Sequence, residues 1–258
     1  HLLGITCALN EINYLLCFTK KVKKEFPELK IMVGGPAPTT SPEIFLKEGI
    51  IDFVVRGEGE KIALNLVKSI EEGNEPENVL GVSYIRNGKI IHNPPQPLID
   101  NLDSIPRPAY EKINMEQYNS MHEWVIRGFP LKGVFVMTSR GCPFGCTFCG
   151  ASVVHGKKVR YRSPENVYNE IRFLKEKYGV EGIFFCDDTF LLNKKHVLGI
   201  CDVMKGLNML WSCFSRVDTI DEELLKIMKR SGCIQMDFGV ESGSNRILKI
   251  IKKGTTVE

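Results

Sequence analysis

The sequence predicts an α/β protein in two parts, the end of a parallel sheet over residues 1–80 and a run of β/α units over 133–258. Three observations predict it. Short, nearly all-apolar runs alternate with segments of helical periodicity, the pattern of parallel strands buried on both faces. Helix caps and glycine stops recur between those runs. A stretch without periodicity, residues 93–110 with five of the thirteen prolines, separates the two parts as a linker.

Taken in order, LLGIT (2–6) reads as a short buried strand. Ile12, Leu15, Leu16, Val22 and Phe26 then stand at helical spacing behind Asn10, the expected cap. IMVGG (31–35) is the next strand. SPEIFLKEG (41–49) is a short helix with Ser41 as cap, Pro42 in its first turn and Gly49 as its stop. DFVVRGEGE (52–60) is a strand entering a glycine loop, and residues 60–72 form a helix ended by Gly73. With three strands, this sheet is expected to lack its first half. GVSYIRNGKIIH (81–92) is a hairpin turning at Asn87-Gly88. It opens a connecting segment, 81–132, whose end (111–132) carries no clear signal.

The alternation resumes with GVFVMTS (133–139) as a strand. Ser163-Pro164-Glu165 opens a helix to about Tyr178, and GIFFCDD (182–188) is a strand. Asn193 caps a helix to about Lys205, and LWSCFSR (210–216) is a strand. Thr219-Ile220-Asp221-Glu222 forms a capping box for a helix stopping at Gly232. IQMDFGVES (234–242) is a strand followed by a helix over about 244–253. Right-handed crossovers curl four such units into part of a barrel or an open parallel sheet.

Composition narrows the function. The 43% apolar content is enough for a buried core, and a net charge of +3 with mixed signs leaves no nucleic-acid footprint. No apolar run approaches the ~18–20 residues of a membrane span. HLLGITCAL (1–9) reads as a strand and turn and not as a secretory signal. Without an initial methionine the chain reads as an internal piece of a longer protein. Of nine cysteines six are scattered (Cys7, Cys17, Cys186, Cys201, Cys213, Cys233), and they read as small apolar residues, reduced in a cytoplasmic setting.

The other three carry the chemistry. Cys142, Cys146 and Cys149 stand as C-x3-C-x2-C in TSRGCPFGCTFCGAS (138–152). A zinc site needs a fourth ligand, which His155 would have to supply. A [4Fe-4S] cube held by three thiolates keeps one iron open to a small molecule. An electron-transfer cluster would need a distant fourth cysteine, and a turn with three inert buried thiols is the plainest alternative. Gly141 and Gly145 let the backbone wrap a bulky cluster. The loop follows a strand, at the edge where α/β sheets and barrels hold ligands.

With Phe148 before the third cysteine, this motif resembles the signature of radical S-adenosylmethionine (SAM) enzymes. YRSPENVYNEI, GIFFCDDTFLLN, the strand with Trp211 and Arg216, and MDFGVESGSNRILKIIKKG resemble successive units of that family's partial (β/α) barrel, over about 130–258. The family's barrel has six units and four are counted here. The resemblance implies a cluster on Cys142, Cys146 and Cys149 whose fourth iron is chelated by SAM, and reductive cleavage of SAM to a 5′-deoxyadenosyl radical. It implies that Phe148 packs beside the adenine, unless it belongs to the core. Asp187 and Asp188 would contact the methionine amino group, unless Asp188 caps a helix. Arg216 would pair with the methionine carboxylate, unless it forms a surface salt bridge. Glu241 and Ser242 would bond the ribose or methionine portion, unless Ser242 caps the next helix.

Residues 1–80 resemble the C-terminal part of a cobalamin-binding Rossmann-like domain. The resemblance implies that Thr6 at a strand end, Gly34 and Gly35 in VGGP, and Gly57 and Glu58 in VVRGEGE lie against cobalamin; a ligand-free domain of the same fold is the alternative. The Asp-x-His-x-x-Gly motif of many relatives is not in these residues, so they are expected to form part of a cobalamin site. His1, His92, His122, His155 and His196 lie outside such a motif and read as ordinary histidines. The whole reading is a cobalamin-dependent radical SAM enzyme with a small-molecule substrate and a reductant such as flavodoxin or ferredoxin, catalysing methyl transfer or ring chemistry. Its rivals are a methylthiotransferase acting on tRNA or protein, which would need a second three-cysteine cluster in the N-terminal domain, a non-catalytic iron–sulfur electron carrier, and a cobalamin-binding or assembly module.

Overall fold

A computed structural model describes residues 1–122 and 125–258, with the backbone alone at 121 and 122, so the side chain of His122 lies outside the described residues. The chain divides into two compact units, His1–Ile99 with Val153–His155, and Asp100–Ser152 with Gly156–Glu258.

The first unit is a five-stranded sheet in the order β1-β2-β3-β4-β5. β1 (Leu2–Thr6), β2 (Lys30–Gly34) and β3 (Phe53–Val55) are parallel. Between them run α1 (Ile12–Glu25), α2 (Pro36–Thr40) and α3 (Pro42–Leu46), and α4 (Gly59–Glu71) follows β3. The hairpin β4 (Val82–Arg86) and β5 (Lys89–His92) turns on positive φ at Asn87 and Gly88. It pairs antiparallel with β3 and so extends this sheet instead of standing outside it. One core packs Leu15, Ile31, Val33, Phe45, Leu46 and Val54, and another Val55, Ile62, Leu66, Val82 and Tyr84.

Four local expectations are corrected. β1 is half-exposed, because it lies at the sheet's edge. Asn10 does not cap α1: a 3-10 turn, Leu9–Glu11, precedes it, and the Glu11 carboxylate accepts from the Ala8 N–H at 2.8 Å. Phe26 is exposed, just past the helix end. Ser41 occupies the cap position of α3, but its hydroxyl makes no capping bond. The sequence also gave no sign of α2, whose five residues are too few for a periodic pattern.

The second unit opens with α5 (Met115–Tyr118) and β6 (Met121–His122). β7 (Leu131–Val136) leads through the two-residue β8 (Ser139–Arg140) into the cysteine loop, which includes α6 (Ala151–Val154) and returns at β9 (Arg160–Tyr161). Then come α7 (Pro164–Tyr178), β10 (Gly182–Phe185), α8 (Lys194–Leu207), β11 (Leu210–Ser215), α9 (Glu222–Arg230), β12 (Cys233–Phe238) and α10 (Asn245–Ile250). The sheet order is β12-β11-β10-β7-β6, with β7, β10, β11 and β12 parallel and adjacent in chain order. Four β/α units in sequence order form an open section of barrel wall among the described residues.

Capping follows residue chemistry. Ser163 Oγ accepts from Asn166 N–H at 3.1 Å, and Asn193 Oδ1 from His196 N–H at 3.2 Å. The Thr219 capping box does not form: Asp221 caps α9 by accepting from Leu224 N–H at 2.8 Å, while Thr219 Oγ1 donates to the Arg216 carbonyl at 2.7 Å. Strand β12 ends at Phe238, sooner than expected, as the chain turns to positive φ at Glu241.

On its helix-covered face the sheet buries Val134, Val136, Ile183, Phe185, Trp211 and Cys213 against α7, α8 and α9. The opposite face begins with paired Gly133 and Gly182. Residues 125–126 fill the space there; a Cβ on Gly133 would lie 2.5 Å from the Val125 side chain. Ser212 Oγ ties that segment down by donating to the Val125 carbonyl. Beyond it Phe135, Phe184 and Phe214 form a row across three strands, with ring centroids 5.4 and 4.7 Å apart. The outer two rings are half-exposed.

Candidate functional site

The cysteine loop starts where β7 ends, and a buried carboxylate anchors that junction. Asp187 is 1% exposed, two residues past β10. It accepts from Thr138 N–H at 2.6 Å, Thr138 Oγ1 at 2.5 Å and Ser139 Oγ at 2.7 Å. Burial pushes its carboxyl above the usual range, against these hydrogen bonds, which favour the charged form. Its oxygens hold the chain that enters the loop. Asp188 does the same one step later, accepting from Gly141 N–H at 3.1 Å.

His196 completes this layer. Its Nε2 lies 2.8 Å from Thr138 Oγ1, whose proton goes to Asp187, so the neutral ring donates from Nε2. Tyr161 covers it, with ring centroids 4.6 Å apart. Burial lowers its pKa from 6.5 to about 4. Below the unfolded value the unfolded chain takes a proton that the folded chain refuses, so this histidine costs stability as pH falls from about 6.5 towards 4. Between pH 7 and 5 the loss is about 2 kcal/mol. Urea unfolding of the apo-protein at both pH values, wild type against His196→Gln, reads that difference.

Gly141 makes the first turn of the loop at φ 108°, where a Cβ would lie 2.4 Å from the Lys158 carbonyl oxygen. Cys142 follows, buried, its N–H donating to Gly156 O at 3.0 Å. Cys146 is half-buried and Cys149 exposed, with Cys149 N–H donating to Cys146 O at 3.2 Å. All three are free thiols. A Cβ on Gly145 or Gly150 would meet nothing within 4 Å, so the backbone there borders open space. Phe148 is 55% exposed and is therefore not core.

The far side of the loop rests on the end of β11 and the chain after α10. Thr147 N–H donates to Ile251 O at 3.0 Å. Arg216 is 5% exposed, and its guanidinium lies 3.7 Å from the centroid of the Phe144 ring. It forks onto Asp218 (Nε to Oδ1 2.9 Å, Nη2 to Oδ2 2.7 Å) and gives Nη2 to the Lys253 carbonyl at 2.6 Å. Nη1 points at Cys146 Sγ, 3.8 Å away. Arg216 thus has partners within the protein on Nε, Nη1 and Nη2. Burial acts to lower the Arg216 pKa, but the bonds to Asp218 outweigh it and hold it up, and the same pairing holds the Asp218 carboxyl down.

Glu241, at φ 64°, accepts from the buried Lys253 Nζ at 3.0 Å, across Gly239, where a Cβ would lie 2.3 Å from Glu241 Oε1. Ser242 Oγ accepts from Ser244 N–H at 3.1 Å. That bond lies in the turn into α10, while Ser244 holds the cap position itself. Sequence reasoning missed Phe144, Asp218 and Lys253. The Arg216-x-Asp218 spacing was a usable signal; Lys253 gave none, because its contact with the site runs through a distant turn.

In the first unit, Thr6, Gly34 and Gly57 stand at or just past the ends of β1, β2 and β3. Gly35 has φ 101°, and a Cβ there would lie 2.7 Å from Thr6 Oγ1. Thr39, also missed, bridges the loops: its Oγ1 donates to Gly35 O at 2.8 Å and accepts from Gly57 N–H at 2.9 Å. A Cβ on Gly57 would meet nothing within 4 Å. Glu58 follows Gly57 in the same loop. It is buried, and its carboxylate accepts from Ile99 N–H at 2.7 Å.

Residues 136–258 match the Radical SAM superfamily, and residues 1–67 match the B12 binding domain. The chain carries a radical SAM domain and a B12-binding domain. It is 42% identical over 258 residues to an uncharacterised methyltransferase of Pyrococcus horikoshii, covering 99% of this chain and 54% of that protein. It is 29% identical over 264 residues to the anaerobic magnesium-protoporphyrin IX monomethyl ester cyclase of Rubrivivax gelatinosus, covering 99% and 46%. The chain thus spans about half the length of the curated relatives it matches. Its fold superposes on the cobalamin-dependent SAM radical enzyme OxsB, solved with aqua-cobalamin and SAM, at a TM-score of 0.80 and 21% identity, covering 99% of this chain and 37% of OxsB.

A radical SAM domain implies a [4Fe-4S] cluster and SAM, and a B12-binding domain implies cobalamin. The donor set fits the cluster: three free thiols on one glycine-rich loop, beside the buried Arg216, whose Nη1 lies 3.8 Å from Cys146 Sγ. Among the described residues no three His, Cys, Asp or Glu side chains converge as around one metal ion. A cube takes each thiolate on a different iron, so its ligands surround a volume and do not meet at a point. Gly57, where a Cβ would meet nothing within 4 Å, leaves open backbone that fits the approach of a bulky ligand.

Proposed function

We propose that this chain is the cofactor-bearing part of a cobalamin-dependent radical SAM enzyme that transfers a methyl group to an unactivated centre of a small molecule. One observation carries the reading. Three free thiols sit on a loop at the C-terminal edge of a parallel sheet, in a chain that also carries a B12-binding domain. The substrate and the electron donor belong to the proposal; a low-potential flavodoxin or ferredoxin is the class of donor required. So does a reducing, cytoplasmic setting, since oxidation destroys a thiolate-held cluster. No helix among the described residues is long and apolar enough to cross a membrane.

Cys142, Cys146 and Cys149 would each hold one iron, leaving the fourth for the SAM amino and carboxylate groups. When bound, the cluster supplies one-electron cleavage of the SAM sulfonium, and cobalamin supplies a methyl carrier. The rest falls to the protein. Asp187 and Asp188 fix the loop's entry, and Arg216 and the 251–253 chain fix its far side. Phe148, exposed, stands ready to cover the adenine. Thr6, Gly34, Gly35 and Gly57 would face the corrin. Phe135 and Phe214 offer a half-exposed aromatic floor to the substrate.

Ring chemistry is the second reading, favoured by the Rubrivivax relative. The methylthiotransferase reading asks for a second three-cysteine cluster, and the first unit holds only Cys7, buried, and Cys17, exposed. The test incubates the full-length, cluster-loaded protein with cobalamin, a reductant and SAM labelled in its methyl group. Methyl transfer predicts 5′-deoxyadenosine together with label in the corrinoid fraction. Deoxyadenosine with no label on the corrinoid would support ring chemistry instead.

A further inference from the structure

The geometry points to Arg216 as a fixed hydrogen-bond donor to the Cys146 sulfur that raises the reduction potential of the cluster. The inference rests on the assignment of Cys142, Cys146 and Cys149 as cluster ligands and goes beyond it, to how the protein sets the ease of electron entry.

Four contacts hold the guanidinium. Asp218 takes Nε and one side of Nη2, the Lys253 carbonyl takes Nη2 again, and Phe144 lies against its face at 3.7 Å. Those partners leave Nη1, aimed at Cys146 Sγ at 3.8 Å. Such a donor is already in place before the cluster changes charge, so little reorganisation opposes its effect. Burial of Arg216 to 5% exposure keeps water from screening it.

Direction follows from charge. Reduction adds one electron from the external donor to the cluster; no bond forms or breaks, and the donor is oxidised by one electron. The reduced cluster with its thiolates is the more negative state. An N–H donor and a positive charge at one sulfur favour that state and raise the potential. Asp218 works the other way. Its carboxylate fixes the guanidinium but offsets part of its charge, with the positive end of the pair turned to the sulfur. Sequence position alone does not show this, because Arg216 at a strand end reads equally well as a partner for a substrate carboxylate.

The test is a redox titration of the reconstituted protein with dithionite, without SAM, followed by electron paramagnetic resonance. Iron and sulfide are counted in every sample. Arg216→Gln is expected to lower the reduced-to-oxidised ratio at fixed potential about tenfold, a shift of about 59 mV to more negative values. Asp218→Asn is expected to move the potential the opposite way, and Arg216→Lys to fall between wild type and Arg216→Gln. A fully loaded Arg216→Gln cluster with unchanged potential overturns the inference. So do Arg216→Gln and Asp218→Asn shifting together in one direction, the mark of a packing role. Should Arg216→Gln fail to load, a lower potential or no shift in Asp218→Asn overturns the inference, and a higher one supports it. Wild type without any cluster contradicts the cysteine assignment instead, and the iron count separates that failure from this one.

Discussion

Replacing Cys142, Cys146 or Cys149 by serine is expected to abolish cluster loading, and with it SAM cleavage, by about a thousandfold or more, since the cluster supplies the electron. Each thiolate holds its own iron, so none substitutes for another. The expected readout is loss of the visible charge-transfer absorbance, with iron and sulfide falling well below those of the wild type. Cys17→Ser, an exposed thiol on α1, is the control and keeps full loading. Equal loading in all four variants would contradict the assignment.

Gly141→Ala is expected to be the most damaging substitution that touches no ligand. A Cβ there meets the Lys158 carbonyl oxygen at 2.4 Å and the Gly156 oxygen at 3.2 Å, both backbone, at a φ of 108° that L residues rarely adopt. Neither neighbour is a flexible side-chain end, so the loop itself must move. The expected cost is about 3 kcal/mol or more in the apo-protein, with loss of the cluster. Gly145→Ala is the contrast. A Cβ at Gly145 meets no protein atom within 4 Å, so apo stability should hold to within about 0.5 kcal/mol. Any loss of iron it causes reports space that the cluster occupies. Chemical unfolding of the apo-proteins and iron analysis of the reconstituted ones separate the two effects.

The fold was legible wherever periodicity and caps agreed. Ser163 and Asn193 start helices as their chemistry dictates, and the Asn87-Gly88 turn forms as its dipeptide predicts. α2, β8 and β9 were not legible, because none of them pairs an apolar run with a cap or turn signal of its own. The cysteine loop was legible because its spacing is itself the chemistry. The polar groups at the strand ends were visible as a set, but their partners were not. Asp187 and Arg216 look alike in sequence, as charged residues closing apolar strands. Only tertiary packing turns one under the loop onto Thr138 and Ser139 and presents the other to Cys146. Glu58 shows the same limit: a carboxylate in a glycine loop looks available until the chain at Ile99 returns to take it.

The most direct measurement is electron paramagnetic resonance of the anaerobically reconstituted, reduced protein with and without SAM. The account predicts a [4Fe-4S]⁺ signal whose g values change on adding SAM, as the iron without a protein ligand takes the cofactor. A cluster signal indifferent to SAM, or zinc bound in place of any cluster, would contradict it.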